Sequence, residues 1–141
     1  MRIVFHRRTR SDDPGYRELD DLLRESDIVS LHTPLSAETT GLLSRQRLAL
    51  LRDGATLVNT ARGAVVDEDA LVDELVAGRI TAGLDVFVNE PQAPEALRGL
   101  PNVVLTPHIA SATVETRAAM TRIVVDNVLA FERGEPLKTP L

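Results

Sequence analysis

The chain has 141 residues, 43% of them hydrophobic and 26% charged, with a formal net charge of −5 and no cysteine. That length can bury a real core in one domain, and the composition is globular rather than disordered. The acidic balance argues against a general nucleic-acid binder, and the lack of cysteine excludes disulfides and thiolate metal sites. No apolar run approaches the roughly 18 residues of a membrane span. The opening Met1-Arg2-Ile3-Val4-Phe5-His6-Arg7-Arg8 meets charge before any signal core can form. A cytoplasmic protein without membrane contact is the default expectation.

Taken in chain order, apolar runs alternate with helical patterns. Ile3 to Phe5 reads as a short strand closed by His6-Arg7-Arg8, and Tyr16 to Glu18 as a short edge strand. Leu19 to Glu25 reads as a helix presenting Leu19, Leu22 and Leu23. Ile28 to Leu31 is a strand ended by His32-Thr33-Pro34. Ser44 suits the N-cap of a helix through Leu51, with Gly54 just past its end. Thr56 to Val58 is the next strand. Asp67 suits a second N-cap, with Glu68 and Asp69 where acidic charge favours the helix dipole. That helix should bury Leu71, Val72, Leu75 and Val76 and stop at Gly78. Ile80 to Leu84 and Val103 to Leu105 read as strands. A long helix follows from about Thr113 to Arg133, with Met120, Ile123, Val124, Val128 and Phe131 on one face.

This alternation predicts an α/β fold with a parallel sheet built from right-handed β-α-β units. In such sheets chemistry gathers at the carboxyl ends of the strands. His6, His32, Thr60, Arg62, Asp85, Glu90 and His108 all follow predicted strands. No internal repeat, low-complexity run or linker interrupts the chain, and Gln92-Ala93-Pro94 is a short loop.

Each of these residues has a functional and a plain reading. A histidine at position 108 suits an acid/base, since that residue type can exchange a proton near neutral pH; the plain reading is a surface histidine beside a helix N-cap. Glu90 can hydrogen-bond an imidazole, fix its tautomer and favour its charged form, or be a solvated loop glutamate. Arg62 can hold a carboxylate through two parallel hydrogen bonds, or be a surface arginine in a glycine turn. Together, on successive strand ends that the fold draws close, the three point to proton and hydride movement beside a carboxylate. Asp85 is a candidate ligand contact, with a loop cap as the competitor. Thr33 and Pro34 either brush a cofactor or merely end a strand. Thr60 and Ala61 are small enough to let a flat ligand approach.

The motifs Glu25-Ser26-Asp27-Ile28-Val29-Ser30-Leu31-His32-Thr33-Pro34-Leu35, Asn59-Thr60-Ala61-Arg62-Gly63, Gly83-Leu84-Asp85-Val86-Phe87 through Glu90-Pro91, and Thr106-Pro107-His108-Ile109-Ala110 stand in one order and spacing. In these the chain resembles the D-isomer-specific 2-hydroxyacid dehydrogenases, over essentially its whole length and within their nucleotide-binding domain. The resemblance implies a Rossmann-type doubly wound parallel sheet. It implies that Arg62 binds and polarises a 2-oxo acid, that His108 is the proton donor, that Glu90 pairs with it, and that Asp85 lies near a nicotinamide. A cofactor-binding set of Arg7, Arg8, Thr9, Thr33, Pro34, Thr60, Ala61, Arg62, Asp85, His108 and Ala110 follows, with no metal. Related formate dehydrogenases look different at the histidine's partner, where they carry an amide, so Glu90 favours a small 2-oxo or 2-hydroxy acid substrate.

Cofactor choice can be read more finely. An acid at the end of the second strand of such a fold holds the ribose 2′-hydroxyl of NAD, whereas an arginine accommodates a 2′-phosphate. Here Phe5-His6-Arg7-Arg8-Thr9-Arg10 offers no acid before Asp12. The stretch resembles the Ser-Arg-Thr turn of NADP-using glyoxylate and hydroxypyruvate reductases, so NADP is favoured over NAD; a solvated basic turn is the plain alternative.

The sequence holds no G-x-G-x-x-G loop. By the resemblance, that loop, the first strand and the substrate domain lie outside these residues. The expectation is a partial NAD(P)-binding domain over residues 1–141, truncated at its N-terminus. A sheet without its middle strand should show two unpaired edges. Three roles compete: part of a dehydrogenase inactive by itself, a non-catalytic nucleotide-binding or dimerisation module like certain corepressors, and an inert fragment. The family usually dimerises through this domain, so a homodimer is also expected.

Overall fold

The short β-branched and leucine-rich runs at Ile28–Leu31 (β1), Thr56–Asn59 (β2), Thr81–Leu84 (β3) and Val103–Leu105 (β4) form one four-stranded sheet in the order β1-β2-β3-β4. The structure is a computed structural model that describes residues 1–140. It divides into a first unit, Met1–His108, and a second beginning at Ile109.

Every strand pair is parallel, and the register decides where the chemistry falls. Leu31 pairs with Asn59, Asn59 with Leu84, and Leu84 with Leu105. The last residues of all four strands therefore lie in one row. The residues that follow them, His32, Thr60, Asp85 and Thr106, leave the sheet along the same edge.

Strand side chains alternate between faces. Val29, Leu31, Leu57, Asn59, Ala82 and Leu84 point to a buried face. It is packed with Leu23 of helix α1 (Leu19–Glu25), Leu48 of α2 (Arg45–Leu48), and Leu71 and Leu75 of α3 (Glu68–Val76). Fully burying each such leucine favours folding by about 1.5–3 kcal/mol, which fixes which face turns inward. The opposite face is open: Ile28 is 62% exposed, and Ser30 beside it is exposed too. Arg79 ties the helical layer together by donating to the Leu48 and Leu51 carbonyls and pairing with Glu74. Asn102 does the same near β4, donating to the Leu75 and Ile80 carbonyls at 2.9 Å each.

Most predicted elements form within a residue or two of their expected bounds, with some differences. The runs at Ile3–Phe5 and Tyr16–Glu18 are not strands but a single parallel bridge between Phe5 and Tyr16, with the two rings edge to face at 6.1 Å. Two short runs facing only each other lack the further neighbours that stabilise a ladder. The bridge stands apart from the four-stranded sheet. Helix α2 stops at Leu48 rather than Leu51, because Leu50 and Leu51 close tight turns onto Arg47 and Leu48. Ser44 occupies its N-cap position without a side-chain cap bond. In α3, Leu71 and Leu75 are buried but Val76 is exposed, so the apolar stripe is narrower than its sequence suggests. Asp67 caps that helix as expected, accepting from the Ala70 N–H at 3.0 Å.

The second unit is a single long helix, α4 (Val114–Glu132), with its flanking turns. The Thr113 hydroxyl caps it by accepting from the Thr116 N–H, and Asn127 fastens the following segment by bonding Lys138 and Thr139. Its apolar residues Met120, Ile123, Val124, Val128 and Phe131 are exposed. Among the described residues no helix is long and apolar enough to cross a membrane.

Candidate active site

Three loops leave the carboxyl edge of the sheet in the first unit, and each carries one of the residues singled out above. The loop after β2 turns at once. Buried Asn59 accepts from the Ala61 N–H through Oδ1 and donates from Nδ2 to the Arg62 carbonyl, each at 3.0 Å. Arg62 follows in an extended conformation and starts a 3-10 turn over Gly63–Val65. Its guanidinium is exposed and donates from Nη1 to the Ala61 carbonyl at 2.7 Å. Thr60 is exposed and Ala61 half-buried, leaving a low rim beside it.

Gly63 explains how this loop meets the next. A Cβ there would lie 2.1 Å from the Phe87 carbonyl carbon, 2.4 Å from its oxygen and 2.5 Å from the Val88 nitrogen. Only a residue without a side chain allows that approach. The segment it touches carries Glu90. The Phe87 N–H donates to Glu90 Oε1 at 3.2 Å, and the Val88 N–H donates to Glu68 Oε1 at 2.9 Å.

Glu90 Oε2 lies 2.8 Å from His108 Nδ1, in the third loop. A carboxylate at Nδ1 calls for the proton on that nitrogen, so Nε2 is the ring nitrogen left for other work. His108 has φ 54°, the only non-glycine with positive φ among the described residues. Histidine tolerates that left-handed conformation better than most residues, yet it remains a strained backbone. The hydrogen bond from His108 holds the Glu90 carboxyl below its ordinary range, helped by the Phe87 N–H and by the charges of His108 and Arg62, with desolvation opposing. Arg62 is therefore near enough for its charge to be felt at Glu90.

Asp85 sits at the end of β3, buried, with its N–H donating to the Asn59 carbonyl at 3.0 Å. The Thr106 hydroxyl donates to its Oδ1, which joins the ends of β3 and β4. Sequence reasoning passed over this hydroxyl partner of Asp85. At the end of β1, His32 Nε2 contacts the Ser30 hydroxyl at 2.8 Å. Thr33 is half-buried, and the Pro34 carbonyl accepts from the Thr39 hydroxyl. Arg7, Arg8 and Thr9 lie in an exposed turn, where Arg7 Nε donates to the Thr9 carbonyl at 3.1 Å. Among the described residues, neither arginine enters an ion pair. Ala110 belongs to the second unit, exposed in the turn ahead of α4.

The structure thus couples Arg62, Glu90 and His108 through bonds and charge within one unit, and adds Asn59, Gly63, Glu68, Phe87 and Thr106 as their supports. Sequence reasoning missed these five as site elements. Asn59 and Gly63 were visible as motif letters flanking Arg62, whereas backbone donors such as Phe87 leave no sequence signal. Chemically, the set offers an exposed cation and a histidine whose Nδ1 is hydrogen-bonded to a carboxylate. Among the described residues no group of three or more acidic or histidine side chains could hold a metal ion.

A glyoxylate reductase of Pyrococcus furiosus is 49% identical over 142 residues, covering 96% of this chain and 42% of the relative. The chain thus spans less than half the length of such relatives. The structure of an NADPH-dependent glyoxylate/hydroxypyruvate reductase from Sinorhizobium meliloti, in complex with NADP and malonate, superposes with a TM-score of 0.90 at 42% identity, covering 99% of this chain and 45% of that one. The D-lactate dehydrogenase of Aquifex aeolicus, complexed with NAD and lactic acid, superposes with a TM-score of 0.84 at 34% identity, over 96% and 47% of the two chains. The family model for the NAD binding domain of the D-isomer specific 2-hydroxyacid dehydrogenases matches residues 1–110, and the chain belongs to that family.

Proposed function

We propose that this chain is part of the NAD(P)-binding domain of an enzyme that interconverts a small 2-oxo acid and its D-2-hydroxy acid, with glyoxylate and hydroxypyruvate as the substrate class. The observation that carries the reading is the Glu90–His108 pair at 2.8 Å, with the Arg62 guanidinium exposed on the loop after β2. Glyoxylate and hydroxypyruvate are favoured because relatives near half identity bear those names. Since the chain spans 42% of the Pyrococcus relative, the activity is proposed for a protein of the relatives' length.

The residues fit a dinucleotide along the carboxyl edge of the sheet. Thr33, Pro34, Thr60, Ala61 and Asp85 follow strand ends that the register aligns, and Ala110 is assigned to the same set by family resemblance. Among the described residues Arg7 and Arg8 have no acidic partner, which leaves their charge to meet a phosphate. This supports NADP over NAD, with Thr9 in the same turn. When bound, the cofactor supplies the hydride.

The protein's own residues supply position and charge. Arg62 holds the substrate carboxylate in two parallel hydrogen bonds and draws electron density toward the 2-oxo oxygen. Protonated His108 gives its Nε2 proton to that oxygen as negative charge develops. Glu90, ionised, keeps the imidazolium stable and fixes its ring. In the opposite direction His108 takes the hydroxyl proton. The exposed apolar face of α4 supports a homodimer as the working assembly.

The test is steady-state turnover of glyoxylate with NADPH and with NADH, in a chain extended upstream to the relatives' length. Turnover that favours NADPH, and a kcat lowered roughly 10²- to 10⁴-fold in His108→Ala, are expected. Unchanged turnover in that variant would sink the assignment of His108. A protein that binds dinucleotide but reduces no 2-oxo acid would make it a non-catalytic binding module.

A further inference from the structure

Asn59 is almost wholly sealed from solvent, and both ends of its amide are spoken for by the loop that presents Arg62. It is 2% exposed. Oδ1 accepts the Ala61 N–H and Nδ2 donates to the Arg62 carbonyl, both at 3.0 Å, so one planar group brackets the Ala61–Arg62 peptide from either side. The Ala61 carbonyl, whose direction this bracket sets, receives the Arg62 guanidinium at 2.7 Å. The Asn59 main-chain carbonyl accepts the Asp85 N–H at 3.0 Å, so the same residue holds the start of the next loop. No other residue type does all of this from that place. Aspartate keeps the acceptor but loses the donor, leucine fills the space without either, and glutamine adds a methylene that the buried position has no room for.

We infer that Asn59 is a positioning residue that aims the Arg62 guanidinium at its anionic ligand, and that it acts on the reaction only through Arg62. The inference rests on the functional reading above for its consequence and on the hydrogen bonds alone for its geometry. A misplacement of about 1 Å in a group that orients substrate lowers rate by up to roughly 10²-fold. Loss of the bracket should therefore be seen in the handling of the acid and not of the dinucleotide.

Asn59→Ala and Asn59→Asp are compared with the unsubstituted protein at the relatives' length. The expected result is a KM for glyoxylate raised about tenfold or more, with the KM for NADPH unchanged, and a smaller effect in Asn59→Asp, which keeps the Ala61 bond. The decisive comparison is the double variant. Asn59→Ala placed on Arg62→Ala should cost nothing further, because the residue it serves is gone. A double variant worse than Arg62→Ala by the full single-variant factor, or an unchanged glyoxylate KM in both single variants, overturns the inference and leaves the functional reading standing. If the unsubstituted protein reduces no 2-oxo acid, that reading fails instead. The inference is then judged by nitrogen relaxation of the Arg62 Nε–H in the 141-residue chain. Greater guanidinium mobility in Asn59→Asp supports it, and equal mobility refutes it.

Discussion

Gly63→Ala is a one-methyl change whose consequence can be worked from the structure. The added Cβ would stand 2.1 Å from the Phe87 carbonyl carbon, where contacts below 3.0 Å are essentially never seen, so a separation of about 0.9 Å must be opened. All three atoms it meets are main chain, and none can rotate away as a side-chain tip can. The segment is also held from its far side, because the Val88 N–H is bonded to Glu68 and the Phe87 N–H to Glu90. Overpacking a well-filled site costs about 1–3 kcal/mol, and a rigid backbone contact belongs at the upper end. A loss of about 3 kcal/mol, against a total of about 5–15 kcal/mol, lowers the melting temperature by roughly 10 °C in a chain of this size. Gly83→Ala is the control: its Cβ would meet nothing within 4 Å and its φ is not positive, so the change should stay within about 0.5 kcal/mol. Urea unfolding followed by circular dichroism measures both. Gly63→Ala within 0.5 kcal/mol of the unsubstituted chain, at the scale of an ordinary surface change, would show that the two loops do not press on each other.

Two further outcomes follow from the third loop. The folded state holds the Glu90 carboxyl below its ordinary range, chiefly through His108. Its contribution to stability is therefore fully present above the ordinary carboxylate range and is lost as pH falls through the lowered folded value. The melting-temperature gap between the unsubstituted chain and Glu90→Gln should narrow on acidification from about pH 7 to about pH 3; a gap that widens contradicts the pairing. His108 has φ 54°, a conformation that glycine adopts freely and alanine does not. His108→Gly should thus unfold at higher denaturant than His108→Ala, by about 1 kcal/mol, although both lack the imidazole. Equal midpoints would place no strain at that residue.

The sequence made the sheet legible because its strands are short apolar runs closed by turn residues, and because burial on one face fixes their register. Ile28–Leu31 and Val103–Leu105 form over the residues expected, and Thr56–Asn59 and Thr81–Leu84 differ by one. The three candidate residues were brought to one edge for a related reason: each follows a strand, and parallel strands in register bring their ends into a row. The pair Ile3–Phe5 and Tyr16–Glu18 failed because local apolar character says nothing about whether a neighbour is present to complete a ladder. Val76 failed because helical periodicity shows which residues share a face, not how far the opposing surface extends. Gly63 was visible as a letter beside Arg62. Its reason, contact with main-chain atoms of Phe87 and Val88, lies more than twenty positions away and involves no side chain.

That last contact bears on how the site should be understood. On the proposed reading Arg62 and His108 carry the chemistry, on loops that follow β2 and β4, and the loop between them, after β3, is what relates them. Glu90 reaches His108 with one oxygen and its own main chain at Phe87 with the other. Phe87 is in turn the residue on which Gly63 rests. A carboxylate anchored in this way has two jobs that pull against each other. On the proposed reading it must stay charged beside His108, yet it must not swing across to the exposed guanidinium of Arg62, whose charge also helps keep its carboxyl below the ordinary range. The Phe87 N–H holds Oε1 while His108 takes Oε2, which on the proposed reading leaves Arg62 for an anion from outside. Removing that backbone constraint, and not only the side chains, should therefore be enough to pair Glu90 with Arg62 and silence both.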